Sequence, residues 1–280
     1  LFLSVIFFFF FYDKEVIERP RLYYKKMGQN NKVIITSGRS SNKDFSTLIT
    51  NCYPDVQLLM NAQGFMKFDN SNESTLLSDG KENITSTFTN KIGLTQNDVF
   101  AYVYGLLNSK EYQEKYQNDL KKDLARIPIC KNKGKYVEIG KKLIELHLNY
   151  EKIAPYDDVN IAIKGKPNYQ VTKMKFARKR NPETGKLEKD RSTIIFNDSI
   201  TISNIPLRAY DYIVNGKSAI EWIIDQYQIK TDKKSEITDD PNDFSDDPKY
   251  IFNLLLRIIN VSLKTIDLIN QLPKFEVKND

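Results

Sequence analysis

The chain has 280 residues, enough for one large domain or two small ones, and 40% hydrophobic with 28% charged content is that of a globular protein with a sizeable core. Its net charge of +6 is compatible with a polyanionic partner and too mild to prove one. Two cysteines, Cys52 and Cys130, without CxxC spacing argue against a disulfide scaffold and against zinc, and fit a cytoplasmic protein.

The chain opens on "LFLSVIFFFFFY". A spanning helix needs about 20 apolar residues, and a signal peptide needs a basic start and a small-residue cleavage site. Neither is present, so no membrane segment is expected. The stretch reads as an apolar strand or as the edge of a truncated or frame-shifted reading frame, and the missing Met and the run Phe7 to Phe11 favour the second. "KVIITS" (32–37) and "FSTLIT" (45–50) have strand composition, with the loop "SGRSSNKD" between them. Residues 68–90, rich in Asn, Ser and Thr, read as an exposed connection, partly disordered.

The pattern changes at Thr95, which with Asp98 resembles a capping box. Val99, Tyr102, Val103, Leu106 and Leu107 recur at helical spacing. Asn108-Ser109 interrupts. A second helix is expected from Lys110 to about Ala125, ended by Pro128, and a third over "VEIGKKLIELHLNYEK". "VNIAIKG", "YQVTKMKFA", "STIIFND" and "SITISNIP" return to short β-branched runs. A helix over "GKSAIEWIIDQYQI", an acidic loop at 239–248 and a long amphipathic helix from about Lys249 to Gln271 close the chain. The expected class is α+β, with strand-rich blocks alternating with helical ones. Residues 1–90 are strand-rich, 91–154 form a helical spacer, and 155–280 hold a hairpin and the C-terminal helices, together one domain.

Searches for catalytic motifs come back empty. "GKYVEIGKK" (134–142) spaces its glycines one residue too far apart for a phosphate-binding loop, and "NGKS" has Asp211 where the first glycine should stand. The one histidine, His147, falls on a helix near its apolar face and reads as a packing or surface residue. Asp157-Asp158, Asp239-Asp240 and Asp246-Asp247 lie beside Pro and read as turns or caps. Glu276-Val277-Lys278 is set aside as part of a frayed C-terminus.

What remains is basic surface. From Lys173 to Arg191, eight of nineteen residues are Lys or Arg and three are acidic. Lys173, Lys175, Arg178, Lys179 and Arg180 are expected on one wet face, with Met174 and Phe176 opposite. The turn Asn181-Pro182-Glu183-Thr184-Gly185 leads back through Lys186, Lys189 and Arg191, making a basic β-hairpin. Such a ribbon fits a DNA major groove, where Arg pairs with guanine and Lys neutralises phosphate; the bland alternative is a solubilising hairpin. Lys230 and Lys233 in "YQIKTDKKSEI", and Arg39 in "SGRSSNK", are further candidate DNA contacts.

Four stretches together resemble the C-terminal region of type ISP single-polypeptide restriction-modification enzymes: "YDKEVIERPR" (12–21), "DVFAYVYGLLNSKEYQEKYQNDLKKDLARIPI" (98–129), "KSAIEWIIDQYQIKTDKKSEITDDPND" (217–243) and "YIFNLLLRIINVSLKTIDLINQLP" (250–273). Residues 1–11 and "SGRSS" depart from the family's pattern. The resemblance implies a target-recognition domain contacting double-stranded DNA and a methyltransferase domain. The parent enzyme would be a DNA adenine-N6 methyltransferase and ATP-dependent endonuclease, using S-adenosylmethionine, ATP and Mg. None of those cofactors is expected to bind this chain, which is expected to have no catalysis of its own. The alternative function is a non-enzymatic module docking a protein through its C-terminal helices.

Overall fold

The computed structural model describes residues 31–39, 41–52, 54, 58–69 and 81–278. The phenylalanine run, "YDKEVIERPR" and residues 70–80 of the polar connection lie outside the described residues. The chain divides into two compact units, one within 1–148 and 267–280, the other spanning 149–266.

In the first unit β1 (Val33–Thr36) is the centre of an antiparallel sheet between β2 (Thr47–Thr50) and β3 (Gln63–Met66). All four positions of β1 are buried, as its β-branched composition suits. β4 (Phe68–Asp69) and β5 (Lys81–Glu82) form a short ladder. The polar connection then ends in a helix, α1 (Ser86–Ile92), where the Thr85 hydroxyl accepts from the Phe88 amide. α2 (Gln96–Leu107) begins as expected: the Thr95 hydroxyl accepts from the Asp98 amide and donates to its carboxylate at 2.8 Å. The single helix expected from Lys110 is two, α3 (Lys110–Lys115) and α4 (Gln117–Lys122), because the backbone at Tyr116 leaves the helical region. α5 (Lys133–Leu148) starts at Lys133, earlier than its apolar stripe suggested.

Tyr102, Tyr104, Leu106, Tyr136, Ile139 and Leu143 share one core with Ile34 and Ile49 of the sheet, so the helical stretch is no separate spacer. α2 and α5 touch backbone to backbone. A Cβ added to Gly140 would stand 1.9 Å from the Ala101 carbonyl oxygen, and one on Gly105 2.4 Å from that of Tyr136. The glycine pair that failed as a phosphate loop therefore includes a packing glycine. His147 is buried, and its Nδ1 lies 2.6 Å from the Tyr104 hydroxyl. Residues 275–277 are not frayed. Cys130 bridges Val277, Lys131 pairs with Glu276 at 3.0 Å, and Phe275 packs edge-on against Tyr112 and Tyr116.

The second unit holds a four-stranded antiparallel sheet in the order β6-β9-β8-β7, formed by β6 (Asn160–Ile163), β7 (Lys175–Arg180), β8 (Leu187–Ile195) and β9 (Ile200–Ser203). Ile194, Phe196, Ile200 and Ile202 are wholly buried. Two short ladders follow, β10 (Ile213–Val214) with β11 (Lys217–Ser218), then, after α6 (Ala219–Gln226), β12 (Lys230–Thr231) with β13 (Thr238–Asp239). Ser218 and Glu221 close a full capping box on α6. α7 (Tyr250–Ile269) carries Phe252 edge-on to Phe196. The expected amphipathic helix is buried along most of its length, with Lys264 and Asp267 its exposed positions and Asn253, Arg257 and Asn260 half-buried.

Candidate nucleic-acid interface

β7 and β8 form the hairpin expected from the sequence. The Asn181 amide donates to the Lys186 carbonyl, and the Gly185 amide to that of Asn181, both at 2.9 Å. The Asn181 side-chain oxygen accepts the amides of Glu183 and Thr184 at 2.8 and 3.1 Å. Gly185 sits at φ 66°, the left-handed region that glycine enters without strain.

The ladder has two halves. Near the sheet, Lys175 pairs with Ile195 and Phe176 with Ile194. The next pair is Ala177 with Asp190, so Arg191, Ser192 and Thr193 are left unpaired with β7 as a three-residue bulge in β8. Asp190 holds the bulge by accepting from the Ser192 hydroxyl at 2.7 Å and its amide at 3.1 Å. These bonds, with Lys179 nearby, keep the Asp190 carboxyl below the ordinary carboxylate range. β9 pairs only with Ile194 and Ile195, so from Ala177 and Asp190 outward the hairpin is a ribbon of two strands with no third beside it.

Pairing separates the cations by face, since directly opposed residues project to the same side. Lys179 faces Glu188, and its ammonium lies 3.6 Å from Asp190. On the other face Arg178 is opposite Lys189, and Arg180 is opposite Leu187. Among the described residues no carboxylate pairs with Arg178, Arg180, Lys186 or Lys189. The expectation of five cations on one face, with Phe176 opposite, is thus corrected. Alternation along β7 puts Phe176 on the side of Arg178 and Arg180, and puts Lys179 with Lys175 on the other. The Lys189 ammonium confirms the sidedness, 5.8 Å from the centre of the Phe176 ring.

Arg191 is held at the foot of the ribbon. It reaches Glu221 at 3.2 Å, stacks over Tyr210 at 5.6 Å, and accepts the Tyr210 hydroxyl on its carbonyl at 2.7 Å. Tyr210 and Phe176 lie ring to ring at 5.9 Å. Burial pushes the Tyr210 hydroxyl up, so it remains a neutral donor. These aromatic supports were missed in the sequence, where Tyr210 carried no mark beyond being one of sixteen tyrosines.

The "YQIKTDKKSEI" segment, read only as basic, is a second small ribbon built on the same turn. The Asp232 carboxylate accepts the amides of Lys234 and Ser235 at 3.0 and 2.8 Å, and Glu236 takes the left-handed conformation at φ 58°. Those bonds, the Ser235 amide first, hold the Asp232 carboxyl low. Lys233 and Lys234 stand at its tip, while the Lys230 ammonium caps the Asp225 carbonyl at 2.7 Å. Lys173 bridges Gln228, which anchors this ribbon beside the start of β7. Arg39 belongs to the first unit and pairs with Asp123 at 2.8 Å.

Asp240 and Asp247 accept backbone amides two residues on, as caps do. Among the described residues no three His, Cys, Asp or Glu side chains come together as metal ligands would, and no helix is long and apolar enough to cross a membrane.

A family model described as the Type ISP C-terminal specificity domain matches residues 8–254. Among solved structures, a nuclease-deletion mutant of the Type ISP restriction-modification enzyme LlaGI, in complex with a DNA substrate mimic, is 46% identical with a TM-score of 0.78, over 95% of this chain and 20% of its own. The ATP-dependent Type ISP enzyme LlaBIII bound to DNA is 44% identical with a TM-score of 0.82, over 95% and 18%. A DrdV–DNA complex shares the fold at 23% identity and a TM-score of 0.78, over 95% and 27%. No curated protein matches. The chain spans about a fifth of the length of LlaGI and LlaBIII, and it belongs to the Type ISP C-terminal specificity domain family.

Proposed function

We propose that this chain recognises a DNA sequence on behalf of a restriction-modification enzyme whose catalytic parts lie elsewhere. The observation that carries the reading is the free ribbon of residues 177–190. Four strand pairs, three steps apart at about 3.4 Å each, extend roughly 10 Å, a fit to a major groove about 12 Å wide and 8.5 Å deep. Its unmatched face offers two arginines, able to bond guanine bidentately, and lysines for phosphate. LlaGI and LlaBIII, both solved with DNA, support it. Methylation with S-adenosylmethionine, and cleavage driven by ATP and Mg, would be supplied by other domains of that enzyme, with a methyltransferase domain as the neighbour. Cytoplasmic location follows from that role.

The test is titration of the full chain with a pool of duplexes, followed by the selected sequence. Arg178→Ala or Arg180→Ala is expected to weaken binding by about 1–3 kcal/mol and to relax one position of the selected site. Duplex binding indifferent to salt and to both changes would remove the reading.

A further inference from the structure

Leu187 belongs to the last strand pair before the ribbon's turn, directly opposite Arg180, and is 60% exposed. Arg178 and Lys189 form the next pair on the same face. Single exposed apolar side chains are ordinary on protein surfaces; the placement of this one is not. Of the large hydrophobic side chains exposed among the described residues, the three most exposed are Ile237 at 69%, Leu207 at 61% and Leu187 at 60%. Two of those three, Leu187 and Ile237, sit at the tips of the two basic ribbons, each beside the turn.

The surrounding face is costly to the free protein. Like charges directly opposite one another destabilise a strand pair, and Arg178 opposite Lys189 is such a pair. The other face of the same ribbon is compensated by Glu188 and Asp190. A polyanion relieves the repulsion on the first face and leaves the second unaffected, so the first face is the one turned toward the ligand. An apolar group in that face must meet an apolar group on the ligand. In the major groove the apolar feature of the base edges is the 5-methyl group of thymine.

We propose that Leu187 is a specificity contact that packs on the 5-methyl group of one thymine in the target duplex. The proposal rests on the DNA-recognition reading above. The experiment selects duplexes with the full chain, then measures affinity for the best one with each thymine replaced in turn by deoxyuridine. One replacement is expected to weaken binding about fourfold, the worth of one lost apolar contact of methyl size. Leu187→Ala is expected to bind the thymine duplex weakly by a similar factor and to be insensitive to that replacement. Leu187→Ile is expected to keep the sensitivity. The salt dependence is unchanged in both variants, because no phosphate contact is lost. Thermal melting of the variants should match the parent chain, the side chain being exposed. If the chain selects a sequence but Leu187→Ala keeps every deoxyuridine sensitivity, the Leu187 assignment falls and the DNA reading stands. If the unaltered chain binds no duplex, both fall.

Discussion

Arg191 and Lys179 carry the same charge as Arg178 and Arg180, and the chain uses them differently. Arg191 is bound on one side by Glu221 and on the other by the Tyr210 ring, so it fixes the root of the ribbon to the start of α6. Lys179 is matched within its own face. Position in the ladder therefore decides which charge is left unmatched. His147 shows a similar effect of surroundings on a buried group. Burial pushes its pKa down to about 4, against the ordinary 6.5. Burial, with the Tyr104 hydroxyl 2.6 Å from Nδ1, makes the neutral ring the folded form. The unfolded chain binds a proton more readily, so the stability from keeping His147 neutral is whole above pH 6.5 and is lost as pH falls toward 4. The gap corresponds to roughly 3 kcal/mol. Denaturant titrations from pH 7 to pH 4 should show that loss in the parent chain and a flatter profile in His147→Phe. An equal slope in both would locate the acid sensitivity in another group.

At the scale of elements, the crossing of α2 and α5 tests whether close backbone approach holds the first unit together. Alanine stabilises an exposed helix interior over glycine by about 1 kcal/mol, yet at Gly140 the added Cβ would overlap the Ala101 carbonyl. Gly140→Ala is therefore expected to destabilise by about 1–3 kcal/mol, the usual cost of overpacking. Gly134→Ala, on the same helix with nothing within 4 Å of the new Cβ, should be neutral or stabilising. Calorimetry of the two variants decides it, and a Gly140→Ala melting point at or above that of the parent chain would rule out the tight crossing. The role of Gly140 could not be read in the sequence because it depends on residue 101 of another helix. The hairpin was legible because its signals are local: β-branched runs on either side of Asn-Pro-Glu-Thr-Gly. Which face each β7 cation takes was also within reach, because alternation alone puts Lys175 and Lys179 on the face opposite Arg178 and Arg180; the place of Arg191 was not, since the loop-out of 191–193 is set by pairing with another strand. The break at Tyr116 and the pinning of 273–278 were hidden for the same reason, a partner distant in sequence. The start of α1 was within reach, because Thr85 is an ordinary N-cap residue in a stretch judged by its polarity alone.

For the whole molecule, the question is whether binding follows the total charge or its placement. The chain carries +6 over 280 residues, while residues 173–191 alone carry eight basic against three acidic groups. Nearly all of the excess is thus in one segment, and the rest of the chain is close to balanced. Counterion release then depends on how many ribbon cations reach phosphate, with each contact contributing about 0.9 to the slope of log affinity against log salt. Lys186→Gln combined with Lys189→Gln is expected to lower that slope by about 2. Lys135→Gln combined with Lys142→Gln removes the same charge from α5, where both ammonium groups face Glu138 at 2.8 and 2.7 Å. That pair of changes should leave the slope as it was. Duplex titrations between 50 and 200 mM salt, a range in which such contacts dominate, separate the two cases. Equal losses from the two double variants would mean that the duplex responds to net charge, and the ribbon would lose its claim to be the surface that meets DNA.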